Sequence, residues 1–175
     1  VHGVSRADER RFAMDALNVI LGGGMSSRLF TEIREKRGLA YDIHSYGEHF
    51  LSTGSLVVYA GVDPARLDEC LEALLGELSQ IRAGVTQEEL QRAKELVKGR
   101  LELRLEDTQN AALWIGGQQL LNNEILTLDE VCQRVDAVTL DQVADVAAEF
   151  LRSEYLSLAV VGPVQGVLPP RLPAL

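Results

Sequence analysis

Histidine and cysteine are scarce in this chain of 175 residues, with three and two copies, and their spacing excludes most of the chemistry they usually carry. A catalytic metal site needs about three protein ligands converging on one ion. His44 and His49 are five apart on a segment that reads as a strand, so alternation sends them to opposite faces, and His2 lies at the chain's frayed start. Neither HxxEH nor HExxH occurs. Cys70 and Cys132 fall on the apolar stripes of helix-like segments, with no CxxC and no disulfide framework, which suits buried thiols in a reducing compartment. Long apolar runs are also missing: no stretch approaches the roughly 18 residues of a membrane span, and no charged segment followed by an apolar one opens the chain. The default expectation is therefore a cytoplasmic protein without membrane contact. Basic residues are in deficit, 17 Lys and Arg against 26 Asp and Glu, which gives a net charge of -9. Nucleic acid is excluded as a partner, because its binding needs clustered cations that release counterions.

What is present suits one globular domain: the chain is 46% hydrophobic and 25% charged, and its length allows about two-thirds of the unfolded surface to be buried. Val1 to Val4 read as the tail of a strand. A helix then opens over Ser5 to Glu9, with Phe12, Ala13, Ala16, Leu17, Ile20 and Leu21 at helical spacing and Gly22 to Gly24 as its stop. Ser26 or Ser27 is placed to cap a short second helix reaching Lys36, with Leu29, Phe30 and Ile33 inside and Gly38 beyond its end. Alternation from Leu39 to Phe50 predicts a half-buried strand, and Gly54 to Val62 a second that pairs with it as an antiparallel hairpin. Strict alternation groups Tyr41 with Leu39 and Ile43 on the core face.

Helices fill the remainder. Asp63 and Pro64 begin one whose inward stripe is Leu67, Cys70, Leu71, Leu74, Leu78 and Ile81. Three capping boxes, Thr86 with Glu89, Thr127 with Glu130 and Thr139 with Gln142, fix three further helix starts, and another helix is expected over Asn110 to Leu121. Tyr155 to Val161 reads as a buried closing strand that joins the hairpin's sheet. Four of the five prolines lie in Pro163 to Leu175, so the expected division is one domain over 1–163 and a Pro-rich tail or linker over 164–175. The element order predicts an α+β fold, an antiparallel sheet with helices packed on it.

The glycines before Met25-Ser26-Ser27 do not make a phosphate loop: they follow a helix instead of a strand, and no Lys precedes the serines. Ser26 and Ser27 also lack a GxSxG elbow and a local partner histidine. Arg28, Arg34, Lys36 and Arg37 concentrate positive charge on and after the short helix; by itself this fits a solvated face whose cations favour the helix dipole.

LNVILGGGMSSRLFTEIREKRGLAY, from Leu17 to Tyr41, resembles the signature stretch of the C-terminal half-domain in the insulinase/pitrilysin-type zinc metallopeptidases, which include mitochondrial processing peptidase. TQEELQRAK, RVDAVTLDQVADVA and the VVGP ending extend the likeness from about His2 to Pro163. The resemblance implies a subunit of two similar α+β halves, in which the missing N-terminal half carries HxxEH, a downstream Glu and the zinc, while the second half binds no cofactor and no metal and holds no catalytic residue. It further implies that Arg34 and Tyr41, seven positions apart, bind an extended peptide or unfolded protein segment, and that the partners are the N-terminal half-domain and a second subunit in a homo- or heterodimer. Two readings stay open: half of an active endopeptidase's substrate chamber, or a domain of a non-catalytic partner or scaffold subunit of the same family.

Overall fold

The computed structural model describes residues 1–163, and the expected Pro-rich tail, 164–175, lies outside the described residues. A three-stranded antiparallel sheet, in the order β1-β3-β2, is built from β1 (His2–Gly3), β2 (Ala40–His49) and β3 (Gly54–Val62). Helices α1 (Arg11–Gly22), α2 (Leu67–Ala83), α3 (Gln87–Leu105), α4 (Thr108–Asn122), α5 (Leu128–Asp136) and α6 (Leu140–Phe150) accompany it, with a π-helix over Phe30–Lys36. The α+β class and the hairpin follow the sequence pattern.

Helix α1 is the centre of the core. Its repeated apolar positions put Met14, Leu17, Ile20 and Leu21 inside, against Ile43 of β2 and Leu90, Val143 and Val146 of the surrounding helices. Gly22, the last residue of α1, lies so close to β2 that a Cβ there would stand 2.6 Å from the Ser45 backbone nitrogen. Close packing of helix on strand explains this glycine without any anion. The helix begins at Arg11, later than the pattern suggests, because the preceding segment is bound to the hairpin: Arg6 N–H donates to Phe50 O at 2.8 Å, and Asp8 Oδ1 accepts from Arg10 N–H at 2.9 Å. All three capping boxes form, and Asp63 Oδ1 accepts from Ala65 N–H ahead of α2. Ser27 makes no such cap; its hydroxyl is buried with no hydrogen-bond partner among the described residues.

The closing strand does not form. After a 3-10 turn at Ser153–Tyr155 the chain runs unpaired to Gly162, with Val161 fully exposed. A strand needs a free edge to pair with, and β1 offers two residues. Beside them an apolar cavity of about 400 Å³, lined by Val58, Leu71, Leu74, Leu78 and Leu158 among others, separates this segment from β3.

Candidate functional site

The short helix that carries Arg34 is a π-helix, and its end redirects the chain. Leu39 N–H donates to Ile33 O at 2.9 Å and Gly38 N–H to Arg34 O at 3.1 Å, with Gly38 at φ +57. The Gly38 bond is that of an αL ending, with a second, wider bond from Leu39 to the π-helix: the left-handed glycine turns the chain, and Leu39 and Ile33 are both buried. β2 starts on the next residue, so the fold-back brings Tyr41 beside Arg34.

A β-bulge then aims Tyr41. Ala40 pairs with Val62 and Asp42 with Gly61, so two steps on β2 oppose one on β3 and Tyr41 is the extra residue. Alternation placed this ring in the core; the bulge turns it out, and Tyr41 is 86% exposed while Ala40 and Ile43 stay buried. The Arg34 guanidinium carbon lies 5.7 Å from the Tyr41 ring centroid and 4.9 Å from that of Phe30, a residue expected to face inward. Phe30 is half-buried and serves as the floor on which the Arg34 side chain rests.

The four cations of this region do not share one environment. Arg28 grips Glu89 with two hydrogen bonds, Nε to Oε1 at 2.7 Å and Nη2 to Oε2 at 2.9 Å, and donates also to Gly84 O. The guanidinium of Arg28, helped by the Thr86 N–H and hydroxyl, holds the Glu89 carboxyl down at about 2 against the opposing effect of burial. Lys36 and Arg37 both bind Glu32. Arg34 makes no ion pair among the described residues, and its planar fork is left stacked on rings with no carboxylate partner there. The expectation of a solvated cationic face holds for Lys36 and Arg37, exposed with surface pairs to Glu32, whereas Arg28 is drawn in by Glu89 and Arg34 is stacked on rings.

Arg34 can donate to a carbonyl or carboxylate, and the Tyr41 hydroxyl can donate to a carbonyl or oxyanion. The pair lies on an open surface, and neither residue lines the apolar cavity or the broader groove between α1, α5 and α6. His44 and His49 take opposite faces: His44 stacks on Tyr59 outside, whereas His49 reaches inward to Val4 O and Asp15. Among the described residues no three His, Cys, Asp or Glu side chains gather as a metal site would require, and none of the arrangement fits a zinc ion. Sequence reasoning missed Phe30 as the support. Gly38 directly after a cation-rich helix end was the one signal of the turn that joins the two site residues.

The model of the peptidase M16 inactive domain matches residues 1–97, more than half of the chain. An uncharacterized zinc protease of Streptomyces coelicolor is 43% identical over 164 residues, which cover 93% of this chain and 36% of that protein. An uncharacterized zinc protease of Bacillus subtilis is 36% identical over 162 residues, 92% of this chain and 39% of its own length. The chain thus spans little more than a third of these relatives. Among solved structures, a peptidase M16 inactive domain from Pseudomonas fluorescens superposes with a TM-score of 0.75 at 25% identity, covering 84% of this chain and 35% of that one. A conserved protein from Enterococcus faecalis superposes with a TM-score of 0.74 at 29% identity, over 82% and 34% of the two chains. With more than half of its length matched by that model and its fold shared with a solved domain of the same description, the chain belongs to the peptidase M16 inactive-domain family.

Proposed function

We propose that this domain forms the zinc-free half of the substrate chamber of a zinc-dependent endopeptidase, and that Arg34 and Tyr41 hold an extended peptide or unfolded protein segment there. The observation that carries the reading is the state of Arg34: it alone of the four clustered cations has no carboxylate partner among the described residues, and it stands over the outward-turned ring of Tyr41. Zinc, supplied with its ligands by the N-terminal half of the longer protein, would polarise the scissile carbonyl. The residues of this chain bind and orient: the Arg34 fork on a peptide carbonyl or carboxylate, the Tyr41 hydroxyl on a second carbonyl or on the oxygen where negative charge develops. On this reading the domain is inert by itself, and its partners are the N-terminal half-domain and a second subunit.

The naming of the Streptomyces coelicolor and Bacillus subtilis relatives as uncharacterized zinc proteases favours this over a scaffold role. The test uses the complete enzyme, with an unfolded peptide as substrate and thermal stability measured in parallel. Tyr41→Phe should lower kcat/KM by about 1 to 3 kcal/mol of transition-state stabilisation with the fold intact. Arg34→Ala should raise KM and lower kcat together. Kinetics unchanged in both variants, or losses matched by unfolding, would refute the assignment.

A further inference from the structure

The hairpin continues outward from Tyr41 as a row of rings with unneutralised acid beside it. Past the bulge, Asp42, His44, Tyr46 and Glu48 of β2 face solvent, opposite Gly61, Tyr59, Val57 and Ser55 of β3. The imidazole of His44 stacks on Tyr59 with centroids 5.1 Å apart and lies 6.1 Å from the ring of Tyr46. These rings are not covered: Tyr46 is 42% and Tyr59 50% exposed. Three contiguous, partly exposed rings along one strand pair make the kind of surface patch that marks a binding site. Gly61 leaves a notch in the row, with the Tyr59 hydroxyl 3.9 Å from where its Cβ would be and Asp42 across the ladder.

The charges on this face have one sign. Neither strand contains Lys or Arg. Among the described residues Asp42 has only the His44 ring nitrogen, at 3.4 Å, and Glu48 only the Ser55 hydroxyl, at 3.4 Å. A cationic side chain laid across such a surface gains from the ring faces and from the carboxylates together, and a compact head can enter the notch at Gly61. An acidic side chain would be repelled by both carboxylates. The face is continuous with Arg34 and Tyr41, and from Tyr41 to His44 is about three residues of extended chain at roughly 3.3 Å each.

From this geometry we infer that the Asp42, His44, Tyr46 and Tyr59 face is a specificity subsite for a Lys or Arg side chain of the bound peptide, within about three residues of the point held by Arg34 and Tyr41. The inference rests on the peptide-holding reading of Arg34 and Tyr41, and adds to it which peptides are preferred.

Fluorescence anisotropy with this chain and short fluorescein-labelled extended peptides tests it. Two peptides differ only in one residue, Arg in one and its neutral isostere citrulline in the other. The Arg peptide should bind about fivefold tighter or more. Asp42→Asn combined with Tyr59→Leu should remove that preference while leaving the citrulline peptide's affinity nearly unchanged, with far-UV circular dichroism confirming the fold; if Tyr59→Leu unfolds, Asp42→Asn alone must still reduce the preference. Arg34→Ala should weaken both peptides equally and leave the preference in place. Equal affinity for the two peptides, with Arg34→Ala still weakening both, overturns the subsite and spares the Arg34 reading. A preference for Arg that persists while Arg34→Ala weakens neither peptide overturns the Arg34 reading. Binding of neither peptide overturns both.

Discussion

His49 stands between two acceptors. Its Nδ1 is 2.8 Å from Val4 O and its Nε2 3.1 Å from Asp15 Oδ1, so both bonds exist together only when both ring nitrogens carry protons. The Asp15 bond is the main reason that the His49 pKa is raised from 6.5; burial opposes it, the Val4 carbonyl and the Asp15 charge add to it, and the neighbouring Arg11 charge works against it. A group whose folded pKa is raised gives stability that is complete below its unfolded pKa and is lost as pH rises through the folded value. The denaturation midpoint should therefore fall as pH rises from below 6.5 through that higher value, and His49→Gln should remove this slope. Titration of the His49 ring proton by NMR should give a midpoint above 6.5. A midpoint below it would mean that the ring is held neutral and that the two contacts are not both hydrogen bonds.

Among the elements, the end of the π-helix decides most about the site. Gly38 at φ +57 has nothing within 4 Å of where a Cβ would be, so a side chain there meets conformational cost without a clash. Gly38→Ala should cost about 1 kcal/mol in urea unfolding, and a β-branched residue more. Because the turn sets where β2 begins relative to Arg34, the same substitution should weaken peptide binding beyond what lost stability explains. Unaltered binding in a folded Gly38→Ala protein would show that the turn does not position the pair. Local signals of this kind were legible: each Thr with Glu or Gln three residues on became a capping box, since both partners lie within one turn of the same helix. The closing strand was not legible, because a β-rich run over Tyr155 to Val161 reports only its own propensity, and pairing depends on an edge elsewhere in the molecule.

At the scale of the whole molecule, apolar side chains remain uncovered on the α3 and α4 side. Leu113 and Leu120, seven apart on one stripe of α4, are 62% and 85% exposed, and Leu103 of α3 is 68% exposed. On the proposed reading as one half of a larger peptidase, such a surface is where the other half packs. The isolated domain should therefore self-associate with rising concentration in sedimentation velocity, and Leu113→Glu with Leu120→Glu should return it to monomer without loss of helix. A monomer at all concentrations would mean that this side is simply exposed.

The sequence by itself determined the α+β class, the hairpin, the starts of the helices capped by Thr86, Thr127 and Thr139, and the family, because these rest on periodicity, on caps closed within a few residues, and on a signature read in order. It also put Arg34 and Tyr41 forward as a pair, through that signature alone. Only the tertiary structure decided how they meet. Alternation assigned Tyr41 to the core, and the single extra residue between Ala40 and Asp42 reverses it, a matter of register against β3 that no local pattern reports. Likewise four cations look equivalent along the chain; Lys36 and Arg37 meet Glu32 within one turn of their own helix, but only folding brings Glu89 to Arg28, and Arg34 is left over the aromatic rings because no carboxylate reaches it among the described residues.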